Sequence, residues 1–412
     1  MRGRRWLPAA LLAVTLGAAA QDNPAPLPQD VQQDMYMEAL QSIAEGRRTD
    51  AAGTLQRLIE RAPLNAGAWL ELALLQCGLG NADAAERMFA VIETRFHPSP
   101  DILDIINRQR DEGCAKAPPL TSSLLALGRG TDRNVNQGAS NPNYTVIKDG
   151  VPQELPLLPE FLPKADQYTV LNGEYLHEIS ENGTSGFVQF QGRANDHLSA
   201  YNSAALFVGL QSPYRVRRWG LRGTALTGAV SLGGKLYQRQ TQVQLRVGPP
   251  LPLPDSMQFT VLGSVSHNEY LTLTNFDSNT FELRGIFSAN RPAWSGMASL
   301  GVLFDNAREH RPGGDRTGFY GNLLYRHALP ANLSAEVAYT LQTWRSQSAY
   351  SPGVIPQVRS QQTHVLRASL TWPLTRNQQL QLEARAVRDH ENISIFQYNN
   401  RQLQLSWQWQ GP

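Results

Sequence analysis

The 412-residue sequence lacks the features that mark an enzyme or a helical membrane protein. Beyond the N-terminal segment, it contains no apolar run of about 18 residues that could form a transmembrane helix. No HExxH motif, glycine-rich phosphate loop or GxSxG elbow is present, and the eight histidines show no metal-ligand spacing. We therefore expect no enzyme activity, no cofactor and no bound metal.

Lysine is scarce, with four residues against 33 arginines, and the formal net charge is only +2. A balance so close to zero does not favour a nucleic-acid partner. Only two cysteines occur, Cys77 and Cys114. In an oxidising compartment they could pair, or they could be two small buried side chains, and the sequence leaves both alternatives open.

The N-terminus has the pattern of a targeting segment. Three arginines precede a mostly apolar stretch from Trp6 to Leu16, and Ala18, Ala19 and Ala20 offer a cleavage site. We expect residues 1–20 to be a signal peptide and residues 21–29 to be a proline-rich lead-in. An exported chain without a spanning helix is periplasmic, secreted or an outer-membrane barrel.

Residues 30–116 show helical spacing that repeats every 34 positions. Leu55 recurs as Phe89 and Leu58 as Ile92, with small alanines between them. Spacing and residue type resemble the tetratricopeptide pattern, in which small residues let paired helices approach and large ones fill the groove. The predicted packing residues are Trp69, Leu72, Ala73, Ala85, Phe89 and Pro98. A generic bundle of four or five helices remains the alternative.

From Thr121 onward the apolar residues recur at every second position. In the last segment Leu403, Leu405, Trp407 and Trp409 alternate with polar residues. Fourteen such segments occur, and an even number is expected of a bacterial barrel. The predicted fold is α plus membrane β: a short tetratricopeptide-like helical domain followed by a 14-strand antiparallel transmembrane β-barrel over residues 121–412.

The connectors and tryptophans predict the orientation of this barrel. Long connectors near residues 134–164, 267–279, 305–316, 345–362 and 389–395 alternate with short ones, as external loops alternate with periplasmic turns. Four tryptophans fall at the ends assigned to the periplasm: Trp219, Trp294, Trp372 and Trp409. We expect the bacterial outer membrane, with the N-terminal domain in the periplasm. A water-soluble all-β domain is the alternative.

The polar positions of the strands carry charges of both signs. The arginines are Arg222, Arg246, Arg284, Arg326, Arg367 and Arg385, and the glutamates among them are Glu282, Glu336 and Glu383. This density indicates a hydrated lumen with ion pairs between strands. The charges could select a substrate, or they could only solvate and stiffen the wall, which we favour.

The first strand segment carries a polar motif, Gly128-Arg-Gly-Thr-Asp-Arg-Asn-Val-Asn-Gln-Gly138. By the period of 2, Asp132, Asn134 and Asn136 would share one face and form a hydrogen-bonding ladder at the outer mouth. The proline-rich residues 141–164 that follow could plug the lumen, although a disordered external loop is favoured.

This motif, directly after a tetratricopeptide-like domain, resembles the opening strand of the surface lipoprotein assembly modifier family. The resemblance covers both domains and implies a periplasmic repeat domain, a fourteen-strand barrel and delivery of lipoproteins or other exported clients to the cell surface. It also implies that outer-membrane lipid and the barrel-assembly machinery are partners. Leu405, Trp407 and Trp409 resemble the insertion signal which that machinery reads.

Two other functions fit the same domain order. Exopolysaccharide-export porins also join such repeats to a barrel, and an arginine-lined lumen would guide an acidic polymer. A general pore is the third hypothesis. The family is not known for catalytic residues, and the short helical domain and the Gly411-Pro412 ending depart from its usual pattern.

Overall fold

A computed structural model of the protein describes residues 28–114, 116–148, 151–254 and 256–411. The predicted signal peptide and most of the predicted lead-in lie outside the described residues. The described chain consists of a helical domain followed by a closed β-barrel.

The helical domain contains five α-helices that pair antiparallel neighbours along the chain. They are α1 (Gln29–Ala44), α2 (Arg48–Arg61), α3 (Ala66–Gly78), α4 (Ala82–Val91) and α5 (Pro100–Asp111), and α4 continues into a π-helical turn at Ile92–Phe96. The side chain of Asn65 accepts a hydrogen bond from the Ala68 amide and so caps α3. No helix in the described part of the chain is long and apolar enough to cross a membrane.

Two hydrophobic clusters hold these helices together, and five of the six predicted packing residues lie in them or pack against them. Leu72 lies in the first cluster with Leu55 and Leu58, and all three are fully buried. The second contains Ala73, Ala85 and Phe89, also fully buried, and half-buried Trp69 packs against both clusters. Predicted Pro98 follows the π-helical turn and is half-buried.

A disulfide and an ion-pair cluster attach α5 to this core. Cys77, in the last turn of α3, is bonded to Cys114, which follows α5. The guanidinium of Arg110 donates to Glu86 at 2.8 Å and to Glu93 at 2.7 Å, which joins α5 to α4. Of the two alternatives that the sequence left open for the cysteines, the structure contains the disulfide.

Fourteen antiparallel strands close into one barrel, and a separate hairpin lies in the loop that follows the first strand. This loop is at the barrel end opposite the helical domain, and we call that end external because the sequence predicts this orientation. The barrel strands are β1 (Thr121–Asp132), β4 (Asp166–Glu178), β5 (Ser185–Asn195), β6 (Ser203–Val216), β7 (Trp219–Leu232), β8 (Lys235–Gly248), β9 (Met257–Tyr270), β10 (Ser278–Asn290), β11 (Trp294–Ala307), β12 (Arg316–Ala328), β13 (Ser334–Ser351), β14 (Ile355–Pro373), β15 (Gln378–Glu391) and β16 (Tyr398–Gly411). Each strand pairs with its neighbours in sequence, and β1 closes the barrel against β16. The hairpin is β2 (Asn143–Lys148) with β3 (Val151–Pro156).

The outer face of the barrel is apolar around its circumference. Leu127, Leu283, Leu300 and Leu405 are each 50% exposed or more, although they lie in the middle of paired strands. A water-soluble barrel would bury such side chains, whereas an outer-membrane barrel presents them to lipid. The protein is therefore an outer-membrane barrel. All four predicted girdle tryptophans lie at the strand ends nearest the helical domain.

Two connectors differ from the predicted alternation of lengths. The predicted long loop at 345–362 is mostly strand, because β13 and β14 continue to Ser351 and from Ile355 and leave a three-residue turn. The external turn between β7 and β8 is only Gly233-Gly234, and both glycines have positive φ values, which suit a tight hairpin. The first external loop, by contrast, remains the longest connector.

Candidate functional site

The lumen wall carries a ladder of ion pairs across four adjacent strands. Glu336 on β13 accepts hydrogen bonds from Arg326 on β12 and from Arg367 on β14, both at 2.6 Å. Arg367 also lies 3.7 Å from Glu383 on β15. Predicted Arg385, on the same strand, donates to Gln402 on β16 at 3.4 Å. These contacts link each strand from β12 to β16 with its neighbour.

A second group of arginines lies nearer the barrel end to which the helical domain is attached. Arg222 on β7 and Arg246 on β8 are directly opposite one another, and Arg284 lies two strands further along the same register. Arg284 pairs with Glu282 and stacks on Tyr320, with 3.8 Å between guanidinium and ring centre. Within the described residues, Arg222 and Arg246 have no acidic partner. Facing like charges without counterions leave a positive region in the lumen.

The helical domain is attached to the rim of this lumen by polar contacts with β4, β5 and β6. Arg48 at the start of α2 lies 3.4 Å from Glu178, the last residue of β4, and its amide donates to the Glu181 carbonyl at 3.0 Å. Glu178 also accepts from the Leu120 amide at 2.8 Å, just before β1. Glu178 is only 6% exposed. Through these contacts its carboxylate connects the helical domain, the linker and the barrel.

The end of α1 makes the second half of this attachment. Arg215 near the end of β6 donates to Gln41 at 2.9 Å and to Glu45 at 3.0 Å. Arg215 is on the lumen-facing register of β6, opposite Gly220 of β7. Glu45 also forms an ion pair at 2.9 Å with Arg47, a buried residue of the loop between α1 and α2. The repeat domain is thus held against one side of the lumen opening.

The polar motif at the end of β1 occupies the opposite mouth. Asp132 is 3% exposed, and its carboxylate accepts hydrogen bonds from Arg193 at 2.7 Å and Gln402 at 2.8 Å. Gly130 faces Tyr168 across β4, and a side chain at this glycine would collide with the tyrosine ring. Arg193 also lies over that ring, at 3.9 Å from its centre. The motif therefore builds a packed junction where the barrel closes.

Asn134 and Asn136 continue the motif after the strand has ended. Asn134 is 1% exposed and accepts from the Gly138 amide at 2.7 Å, while its amide group donates to the carbonyls of Gly138 and Asn399, both at 2.9 Å. Asn136 donates to the Leu162 carbonyl at 2.8 Å. Both asparagine side chains of the predicted ladder therefore form hydrogen bonds within the protein. We name Asn134 and Asn136 the latch, because they hold the loop that follows β1.

The loop held by this latch is ordered, not disordered as the sequence favoured. The Ser140 amide donates to the Gln397 carbonyl at 2.8 Å, and the Ile147 amide donates to the Val354 carbonyl at 3.1 Å. The loop and its β2–β3 hairpin therefore lie on the external rim of β13 to β16. Whether they plug the lumen was left open by the sequence, and the contacts above show them to be a cover on this rim.

The adjacent external loop contains a coupled acid and histidine. The carboxylate of Asp166, at the start of β4, lies 2.9 Å from His197 Nδ1. It also accepts hydrogen bonds from the His197 and Leu198 amides, both at 2.8 Å. The hydrogen bond to Asp166 raises the pKa of His197. The hydrogen bond from Arg129 lowers the pKa of Asp196 beside it. No group of acidic, histidine or cysteine side chains in the described residues is placed to hold a metal ion.

The attachment contacts and the Asp132–Arg193 pair were not found from the sequence. Arg48 and Glu178 are 130 residues apart, and no local pattern reports such a contact. The predicted insertion-signal residues Leu405, Trp407 and Trp409 lie on one face of β16, and Leu405 is 50% exposed to the outside. The strand continues to Gly411, which pairs with Ser123.

Comparison with known proteins gives a family match for part of the helical domain. Residues 42–106 match the tetratricopeptide repeat family. The chain is similar to the outer membrane channel DcaP of Acinetobacter baumannii, with 10% identity and a TM-score of 0.40, over 72% of this chain and 99% of that one. An anion-selective porin from Comamonas acidovorans is 8% identical with a TM-score of 0.37, and the match covers 71% of this chain and 99% of that one. A bacterial polysaccharide outer membrane secretin is 8% identical with a TM-score of 0.35, and the match covers 70% of this chain and 98% of that one. No curated protein sequence matches significantly.

Proposed function

We propose that this outer-membrane protein is a translocation or assembly factor of the surface lipoprotein assembly modifier type. In this proposal the tetratricopeptide repeat domain lies in the periplasm, binds an exported lipoprotein or other client and passes it to the barrel. No covalent bond is made or broken. The observation that carries the proposal is the attachment of a repeat domain directly to the rim of a charged lumen, through Glu178 and Arg215.

The position of the attachment supports a transfer from domain to barrel. Arg215 belongs to the lumen-facing register of β6, and its partners Gln41 and Glu45 lie at the end of α1. A client held on the repeat helices would therefore start beside the lumen opening, which raises its effective concentration there. A repeat domain on a long free tether would lose that advantage.

The wall of the lumen supports passage of a polar segment. Charged groups of both signs line it from Arg246 near the periplasmic end to Asp132 near the outer end. A polar segment passing along this wall would exchange hydrogen bonds with water for hydrogen bonds with side chains. The ordered loop above Asn134 would have to move to release it, and so this loop is the proposed gate.

Deletion of the gene, with surface levels of the exported proteins encoded beside it as the readout, tests this function. We expect protease accessibility of at least one such client on intact cells to fall at least tenfold, while its total amount is unchanged. Normal surface levels of every neighbouring exported protein would overturn the proposal.

A variant that breaks only the attachment refines this test. Arg48→Ala combined with Arg215→Ala removes the two arginine side-chain contacts at the rim and leaves the backbone bond from residue 48 to Glu181. Arg57→Ala, on the same helix as Arg48, loses only a hydrogen bond to Thr54. We expect the double variant to insert normally and lose most client delivery, and the single variant to deliver normally. Full delivery by the double variant would show that these two arginine contacts are unnecessary.

Export of an acidic polysaccharide is the second candidate, and one observation favours it. Arg222 and Arg246 face the lumen with no acidic partner in the described chain, and such a pair would attract carboxylate groups of a polymer. This function predicts that Arg222→Ala with Arg246→Ala reduces secreted matrix without changing surface proteins. A general pore would instead conduct ions with the repeat domain removed, and planar-bilayer recording would detect it.

A further inference from the structure

The outer surface of the barrel carries a cluster of basic side chains at its external end. Arg388 and His390 end β15, Arg401 lies near the start of β16, and Arg133 directly follows β1. His364 on β14 is directly opposite Arg388. We name these five residues the outer basic patch.

The register shows that this patch faces lipid and not the lumen. Ala386 on β15 pairs with Leu366, which is 50% exposed on the outside, and Arg388 follows it by two residues. Arg401 is the partner of Ala386 on the other side and shares a face with Leu403. Side chains two apart on a strand share a face, so both arginines point outward.

The members of the patch are close neighbours across four strands. The Arg133 amide donates to the Arg401 carbonyl at 3.1 Å, which places the two residues side by side. The rings of His364 and His390 lie edge to face, with 5.8 Å between centres. The Tyr339 hydroxyl lies 2.7 Å from His364 Nδ1 and fixes that ring at the edge of the patch.

Within the described residues, the arginines of the patch have no acidic partner. Two other outward arginines at the same end do: Arg129 pairs with Asp196, and Arg239 lies 3.9 Å from Glu269. Arg133, Arg388 and Arg401 form no such pair, although all three are exposed. Three uncompensated cations at one site repel one another, and an external anion would relieve that repulsion.

The surface directly below the patch suits acyl chains. Leu403 and Leu405 continue the outward face of β16 below Arg401, and both are about half exposed. The patch therefore lies at the boundary between the apolar band and water, where lipid head groups lie. Arginine suits a phosphate oxyanion because its planar fork donates two parallel hydrogen bonds.

We propose that the outer basic patch binds the phosphate groups of lipopolysaccharide in the outer leaflet. The lipid A phosphates contact Arg133, Arg388 and Arg401, His364 and His390 donate or accept at the edge, and the acyl chains lie against the leucines below. The inference does not depend on which client or polymer the protein exports. It fixes the depth of the barrel in the membrane on the side where β1 closes against β16.

Binding of purified full-length protein to defined lipids tests the proposal. The probes are bisphosphorylated lipid A, dephosphorylated lipid A, phosphatidylglycerol and inorganic phosphate, each measured in detergent by native mass spectrometry or fluorescence titration. We expect bisphosphorylated lipid A to bind at least tenfold more tightly than each of the other three. Equal binding of phosphatidylglycerol or inorganic phosphate would overturn the assignment to lipid A.

Variants separate the patch from general charge effects. Replacing Arg133, Arg388 and Arg401 by Ala together should weaken lipid A binding on the order of 100-fold, because each cation near an anionic surface contributes separately. Arg345→Ala, an exposed arginine on the external part of β13, is the matched control and should bind as wild type. A Lys triple variant, which keeps the charges, should retain more binding than the Ala variant.

Heat-modifiable mobility on gels verifies that each variant barrel is folded. If the folded Ala triple variant binds lipid A as tightly as wild type, the proposal is wrong. If the triple variant does not fold, the single variant Arg388→Ala decides the question. We expect it to bind lipid A at least threefold more weakly than the wild type, and unchanged binding would overturn the assignment.

Discussion

The latch at the outer mouth gives a direct test of how the first external loop is held. Asn134→Ala removes three side-chain hydrogen bonds, two to Gly138 and one to the Asn399 carbonyl. Each such bond contributes about 1 kcal/mol net, and so the loop loses roughly 3 kcal/mol of its holding free energy. Since 1.4 kcal/mol is a tenfold change, the fraction of open loop should rise roughly 100-fold. The barrel should remain intact, because β1 ends before this residue.

Hydrogen exchange at the loop measures this opening directly. The Ala139 amide donates to the Phe161 carbonyl in the second half of the loop, and the Ser140 amide donates to the Gln397 carbonyl next to β16, both at 2.8 Å. Both donors directly follow the 134–138 turn that Asn134 closes, so we expect both amides to be protected only while this turn is closed. Their exchange should accelerate about 100-fold in Asn134→Ala. Asn141→Ala, whose side chain bonds only within the loop, should leave both rates unchanged. Unchanged exchange in Asn134→Ala, or faster exchange throughout the barrel, would refute the latch.

Two further predictions concern the helical domain. Replacing Cys77 and Cys114 by Ser should lower its free energy of unfolding by about 4 kcal/mol in thermal denaturation, since the bond closes a loop of 37 residues; reduction of the wild type should give the same shift. The hydrogen bond from Arg110 lowers the pKa of Glu86. The stability from this pair is therefore complete above the ordinary glutamate pKa and is lost as the pH falls through the lowered value. Arg110→Gln should therefore remove the loss of stability that the wild type shows as the pH falls. If the unfolding free energy of the variant kept the same pH dependence, the Arg110–Glu86 pair would not be its cause.

The sequence was sufficient to predict the number and the faces of the strands. A transmembrane strand has lipid on one side and water on the other, and so its residues must alternate between apolar and polar. Leu403, Leu405 and Trp407 preserve that alternation and lie on one face of β16, as predicted. The helical repeat was equally visible, because close helix packing requires the small residues Ala73 and Ala85 at the contacts.

The same physics explains where strand prediction failed. Beyond the membrane both faces of a strand meet water, and the requirement for alternation ends. The residues between Arg345 and Gln362 are largely polar on both faces and were therefore predicted as a loop, although β13 and β14 pair through most of this segment. Pro352 and Gly353, which lie in the three-residue turn, were the only local signal of a hairpin there.

The candidate site was predictable in composition but not in geometry. The spacing of Asp132, Asn134 and Asn136 pointed to the outer mouth, which is where they lie. The partners of Asn134 and Asn136, however, include the carbonyls of Asn399 and Leu162, and backbone acceptors leave no mark in the amino-acid pattern. The attachment of the helical domain was equally hidden, since it depends on how two separately folded units meet.

Strand β1 is the covalent link between the two ends of this protein. The repeat domain is tied next to its start at Glu178, and the external loop begins at its end with Asp132. A movement of the repeat domain could pass to the loop by sliding β1 or by sliding β4, which runs from the other end of the loop to Glu178. A slip by one residue, however, would turn Asp132 towards lipid and break its pairing with Arg193. Under the proposed function, we therefore expect loop opening to be triggered from within the lumen by the passing molecule, and not by a movement of the repeat domain.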